Sequence, residues 1–415
     1  MQEKLSPHLA IAILIFSIGC ASPGSGVSDP TPATESGAAL TTPNDSGEQI
    51  LSIAGALAES FAAPLPQRGM LAVVVRWGEA TFGVVDGSGK SLVPLMTKAT
   101  GELFVSSARS RLAYLVRDGP NPERNYIEIL DLTGRKGLRL KPAKDYAILG
   151  FTLSPAADRL SYAVMNLRKS RSTHATWRVG AIDLVKHEGQ ISLKSNPTDI
   201  PEEGIPVPFG WSGHSGQIYL QGWMPFRGMM KQGIWAMDPD GSKLRKILPE
   251  PAYASVPRLS PDGAFLAYLV TDLESLPKDY VAAPGSPPGN VVEVMDLATQ
   301  EKSVWARSTG GAFGLFSWSA TGDGILASER VWSEGRFRDV SVRKINRKAS
   351  VKIAELSPSD SGARIGSILE CNDGSPFWVV QDHGRATLRG ARGSVGAALF
   401  AVPEGQIHLI RCLDR

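Results

Sequence analysis

Net charge, cysteine, histidine and long apolar runs are all scarce in this chain. Its 415 residues carry 44 Lys and Arg against 41 Asp and Glu, a formal net charge of +3. That balance is too even for a nucleic-acid binder, which needs a concentrated basic face. The basic stretches around Arg168, Lys169 and Arg171, and from Arg336 to Lys348, read as solvated loops and strand faces. Only six histidines are present. His174, His187, His214 and His383 fall in separate parts of the chain, and no pair has metal-ligand spacing. The Asp-Pro-Asp-Gly at 238–241 is turn chemistry before it is a calcium loop. No metal or other cofactor is expected. From about residue 70 onward no sustained helical period occurs, which excludes helical bundles and α/β folds.

One marked apolar run lies at the start, Leu9 to Ile18, about ten residues long. It is too short to cross a bilayer as a helix of ~20 residues, and it has the length of a signal-peptide core. The "GCAS" that follows resembles the bacterial lipobox, whose cysteine is lipidated and becomes the new N-terminus. Ser17, where leucine is usual, and Glu3, which dilutes the basic start, depart from that pattern. Residues 1–19 are therefore expected to be a lipoprotein signal peptide and Cys20 the lipidation site. Residues 20–47 have no aromatic side chain, and such a segment cannot offset its own ordering entropy. They read as a tether reaching about 25–30 Å. Residues 48–69 form a lead-in segment to a domain spanning 70–415. The product is expected outside the cytoplasm, membrane-anchored through lipid alone.

"GWSGHSG" at 210–216 is nearly the turn that exposes a hydrolase serine. A repeat decides the matter. Ser106, Ser154, Ser212, Ser260 and Ser319 each stand six residues before the first large apolar residue of a strand: Leu112, Leu160, Ile218, Leu266 and Ile325. Cys371 and Phe377 form a sixth copy, and "LAVVVRW" from Leu71 is a seventh strand without the serine. A nucleophile is normally unique, whereas a turn residue recurs. Ser212 is thus a turn residue, its hydroxyl serving backbone N–H groups. Downstream of each strand a second run ends in a turn at Asp86, Asp131, Asp183, Asp238, Asp296, Asn346 and Pro403. The unit is four short strands: a, tight turn, b, loop, c, tight turn, d. Seven such units predict an all-β, seven-bladed β-propeller of four-stranded antiparallel blades. The first unit lacks a clear strand a, which is expected to be missing or supplied by residues 48–66.

Unit five, "LSPDGAFLAYLV" followed by "VVEVMDLATQEKSVW", resembles the WD-repeat-like propeller repeat of TolB-type periplasmic proteins and of prolyl-oligopeptidase relatives. The resemblance spans roughly residues 70–412. It implies the architecture and an envelope location. It does not fix a function, because these propellers serve many unrelated partners. No α/β-hydrolase domain is expected beyond the last unit.

Topology places the b–c loops and the d–a crossovers on one face of the disc. The distance from the b anchor to the c end varies from 15 to 30 residues, while the a–b turn is constant. Variable loops on a rigid scaffold are where binding usually resides. Trp223, Met224, Phe226, Arg227, Met229 and Met230 concentrate interface-type side chains in unit four. Packing within the channel would explain them equally well. Arg168, Arg171 and His174 in unit three, and Trp332, Arg336 and Phe337 in unit six, complete the expected partner-binding face. No catalytic residue is expected. The repeat places Cys371 and Cys412 at the ends of strands a and d of one blade, about 14 Å apart. That exceeds the ~7 Å reach of a disulfide, so free buried thiols are expected. The expected function is a non-enzymatic, monomeric, lipid-anchored platform for a protein or envelope partner. The alternative is an enzyme or a small-molecule or sugar binder using the central pore.

Overall fold

The computed structural model describes residues 51–56, 68–77, 79–86, 91–99, 105–108, 111–119, 121–132, 137–169, 176–194, 205–223, 233–248, 257–280, 288–356, 362–390 and 397–414. The expected signal peptide, Cys20 and the tether lie outside them. The described strands form seven antiparallel sheets, six of four strands and one of five. The innermost strands touch their neighbours around a closed ring. The fold is the seven-bladed propeller that the repeat predicts.

Alternation along each strand explains why the b strands read as unbroken apolar runs. Successive side chains point to opposite faces of a blade, and both faces are covered. In Arg111–Val116, Leu112 and Tyr114 pack toward blade 1, while Ala113 and Leu115 pack toward blade 3. Seven buried apolar clusters result, one between each pair of adjacent blades.

Ring closure differs from expectation in two ways. Blade 1 is complete, and its inner strand is Gln406–Asp414 from the far end of the chain, paired antiparallel with Arg68–Arg76. The expected donor, residues 48–66, contributes instead the strand Leu51–Ala56, which adds to the outer edge of blade 2 against Leu138–Pro142. Blade 7 is built wholly upstream of the closing strand, from Arg364–Glu370, Pro376–Asp382, Arg385–Gly390 and Ala397–Val402. The turn at Pro403 therefore joins blade 7 to blade 1 rather than linking strands c and d.

This also overturns the reading of the cysteines. Cys371 follows the inner strand of blade 7, and Cys412 lies on the inner strand of blade 1. These strands are neighbours, the two Cα atoms are 5.4 Å apart, and the sulfurs are bonded. The separation estimate failed because it placed Cys412 on an outer strand.

Candidate site on the b–c face

The tight-turn face is regular. Ser260 Oγ accepts the N–H of Phe265 at 2.9 Å, Ser154 Oγ that of Arg159 at 3.0 Å, and Ser319 Oγ that of Gly324 at 3.0 Å. Ser212 is a variant: its buried hydroxyl accepts from Ser215 N at 3.0 Å and donates to the Gly263 carbonyl at 3.1 Å. At the c–d turns, Asp183, Asp296 and Asn346 each accept two backbone N–H groups two and three residues on. These are structural Asx turns.

The opposite face is uneven. Strands b and c are joined by long connections in blades 2 to 5, spanning residues 117–125, 167–175, 224–233 and 271–290. Blades 6 and 7 have two-residue hairpins instead, at Glu334–Gly335 and His383–Gly384. All four of these residues have positive φ (53°, 73°, 44° and 83°), the type I′ geometry that suits a twisted hairpin. Blade 1 turns as sharply after Arg76, and Trp77 there is 83% exposed. Blades 7 and 1 thus end in short turns beside the longer loops, while the long strands Ile325–Ser333 and Arg336–Ile345 carry the blade 6 hairpin further out. In sequence Trp77 looks like the end of the strand from Leu71, and the register shows it to be a hairpin tip.

The blade 5 loop leans on this blade 6 hairpin. Tyr280, Trp332 and Phe337 form a three-ring cluster with centroids 4.9 to 5.8 Å apart. The Trp332 indole N–H donates to Asp279 Oδ2 at 3.0 Å. The loop is held at both ends by buried Asn290, whose side-chain amide donates to the Asp272 carbonyl at 2.8 Å and accepts from its N–H at 2.7 Å. Asp272 in turn receives Ser275 Oγ at 2.7 Å and pairs with Arg307. On the hairpin side Arg330 pairs with buried Asp339 at 3.0 Å, and Asp339 also accepts the N–H of Ile365 from blade 7. Arg338 pairs with Glu334, and Arg336 stands exposed at the tip. The rings are therefore fixed before any partner arrives, which lowers the ordering cost of binding.

The structure brings together Trp332, Arg336 and Phe337 of the expected residues and adds Tyr280 and Asp279, while Trp77 stands apart on the blade 1 turn. Arg168 lies on the same face but is tied to Asp145 at 2.8 Å. Trp223 ends the strand Ile218–Trp223, and its side chain is not described. Arg171, His174, Met224, Phe226, Arg227, Met229 and Met230 lie outside the described residues. Among the described residues no group of three or more His, Cys, Asp or Glu could hold a metal ion. No described helix is long and apolar enough to cross a membrane.

No protein-family model and no curated protein matches the chain. Solved structures do. An oligogalacturonate lyase in complex with manganese is 13% identical with a TM-score of 0.50, covering 81% of this chain and 96% of its own. An oligogalacturonate lyase from Vibrio parahaemolyticus is 12% identical with a TM-score of 0.51, covering 79% and 94%. TolB from Acinetobacter baumannii is 15% identical with a TM-score of 0.41, covering 80% and 81%. At this identity, likeness establishes a shared propeller fold and nothing narrower.

Proposed function

We propose that this propeller is a non-enzymatic binding platform for a protein partner, anchored outside the cytoplasm by a lipid on Cys20 and working through its b–c face. The observation that carries the reading is the pinned ring cluster of Tyr280, Trp332 and Phe337, with Arg336 exposed beside it. Aromatic rings and arginine are the side chains that dominate protein interfaces. The bonded pair Cys371–Cys412 supports an oxidising compartment. On the opposite face, serine and carboxylate groups at several tight turns are spent on the turns themselves.

A photo-crosslinking amino acid placed at Arg336 or at Trp77, in cells expressing the full chain, tests this. Both positions should yield the same crosslinked protein, and the same probe at Asp240 on the tight-turn face should yield none. Crosslinking from Asp240 alone would contradict the reading.

A further inference from the structure

The first described strand sets where the chain enters the ring. Leu51–Ala56 lies outside blade 2, antiparallel to Leu138–Pro142. Leu138–Pro142 follows the c–d turn after Tyr126–Asp131, so it runs from the tight-turn face toward the b–c face. Leu51 stands opposite Pro142, and Ala56 stands opposite Leu138. The chain therefore enters at the b–c end of blade 2. The entry point is pinned, because the Leu51 side chain has no accessible surface and packs in the core between blades 2 and 3. The next described strand, Arg68–Arg76, starts at the other end. Arg68 is opposite Asp414, remote from the sharp turn that follows Arg76 on the b–c face. If Leu51–Ala56 were not paired, the chain would enter from the tight-turn face instead.

This difference matters for a tethered domain. The tether read from the sequence reaches about 25–30 Å. A six-residue strand such as Leu51–Ala56 is about 20 Å long. Reach and blade height are comparable, so the end at which the tether starts decides which face it holds near its anchor. Turning the tight-turn face inward would use up most of that reach in passing the blade. Exposed apolar side chains divide the same way. Among the described residues Trp77, Leu273 and Val331 stand toward the b–c face, and Val185 stands toward the tight-turn face. The other exposed large apolar residues, Val93, Val304 and Val351, lie on outer strands.

We infer that the b–c face is turned toward the membrane that holds the anchor, and that its partner is a protein of that same membrane. The inference rests on the lipid anchor proposed above. Two proteins confined to one surface, with the binding face directed at it, meet at a raised effective concentration without any new contact.

The lipidated chain, purified from membranes and placed on phosphatidylcholine vesicles that carry a headgroup energy-transfer acceptor, tests the orientation. A donor dye is attached at His383→Cys on the b–c face or at Asp240→Cys on the tight-turn face, both exposed positions. Transfer should be stronger from position 383 by about twofold or more, since about 20 Å of blade separates the two levels. Leu51→Asp puts a carboxylate where the core cannot accept it. The strand Leu51–Ala56 should then detach, and the difference between the two positions should shrink or reverse. An unchanged urea midpoint would show that the ring stays closed, and if Leu51→Asp does not fold, the wild-type comparison decides alone. Equal transfer from the two positions, or stronger transfer from position 240, would overturn the inference while the anchor stands. A difference that persists in folded Leu51→Asp would also overturn it. If the chain does not sediment with the vesicles, the anchor itself is wrong and the inference falls with it. In cells lacking the propeller, the protein that crosslinks from Arg336 should sediment with membranes, and finding it soluble would overturn the assignment of the partner.

Discussion

Glu128 has no accessible surface, and its neighbours account for that. Tyr114, Glu128 and Arg139 lie directly opposite one another on three successive strands of blade 2. The Tyr114 hydroxyl donates to one carboxylate oxygen, and Arg139 Nη2 donates to the other at 2.8 Å. The guanidinium also lies over the Tyr126 ring, 4.6 Å from its centroid. Burial first, and the Glu128 charge second, push the Tyr114 phenol far above its ordinary pKa, so it remains a donor at any working pH. Blade 5 repeats half of this device with Tyr268 opposite Glu293. Glu128→Ala leaves a buried phenol and a guanidinium without their acceptor. Urea unfolding should show a loss of about 1.5–3 kcal/mol, the scale of a hydrogen bond to a charged group. A loss below about 0.5 kcal/mol, the usual range of surface changes, would mean that the triad is not what holds these strands in register.

Strands show where local pattern stops being informative. The b strands and their serine turns were legible because each rests on neighbours in sequence: a hydroxyl, a glycine and an apolar run. The closing strand was not. Gln406–Asp414 alternates like any fourth strand, yet its partner is Arg68–Arg76 at the far end of the chain. Nothing within Gln406–Asp414 distinguishes an outer strand of blade 7 from an inner strand of blade 1. The cysteines held the missing information, since only the second placement lets Cys371 and Cys412 meet. Likewise the sequence reading puts Trp332 and Phe337 in a b–c loop, whereas they pair across two strands, and their meeting with Tyr280 depends on a register that periodicity does not fix. The disulfide links residues 41 apart and so keeps the closing strand beside blade 7. Chain-entropy arguments for a loop of this length give about 4 kcal/mol at most. Adding dithiothreitol should lower the urea midpoint of wild type to that of Cys412→Ser and leave the variant unchanged. Equal midpoints for oxidised and reduced wild type would show that strand pairing alone closes the ring.

As a whole, the molecule is seven sheets held by seven inter-blade cores, one of them crossing the seam between blades 7 and 1. Such a ring does not need to rearrange to present its faces, and the two faces differ. One is a set of serine and Asx turns. The other combines two-residue hairpins at blades 6 and 7 and a sharp turn at blade 1 with longer loops, and carries an exposed tryptophan and a pinned aromatic cluster. The central claim is that binding belongs to the second face. The most direct measurement is the affinity of the crosslinked partner, once purified, for wild type, for Trp332→Ala with Phe337→Ala, and for Asp240→Ala with Asp262→Ala. Each large apolar side chain buried at an interface contributes about 1.5–3 kcal/mol. The aromatic pair should therefore weaken binding about a hundredfold or more, with the urea midpoint showing that the ring still closes. The tight-turn pair should leave affinity within about threefold. Affinity retained without the two aromatics, and lost when the tight-turn face is changed, would contradict the account.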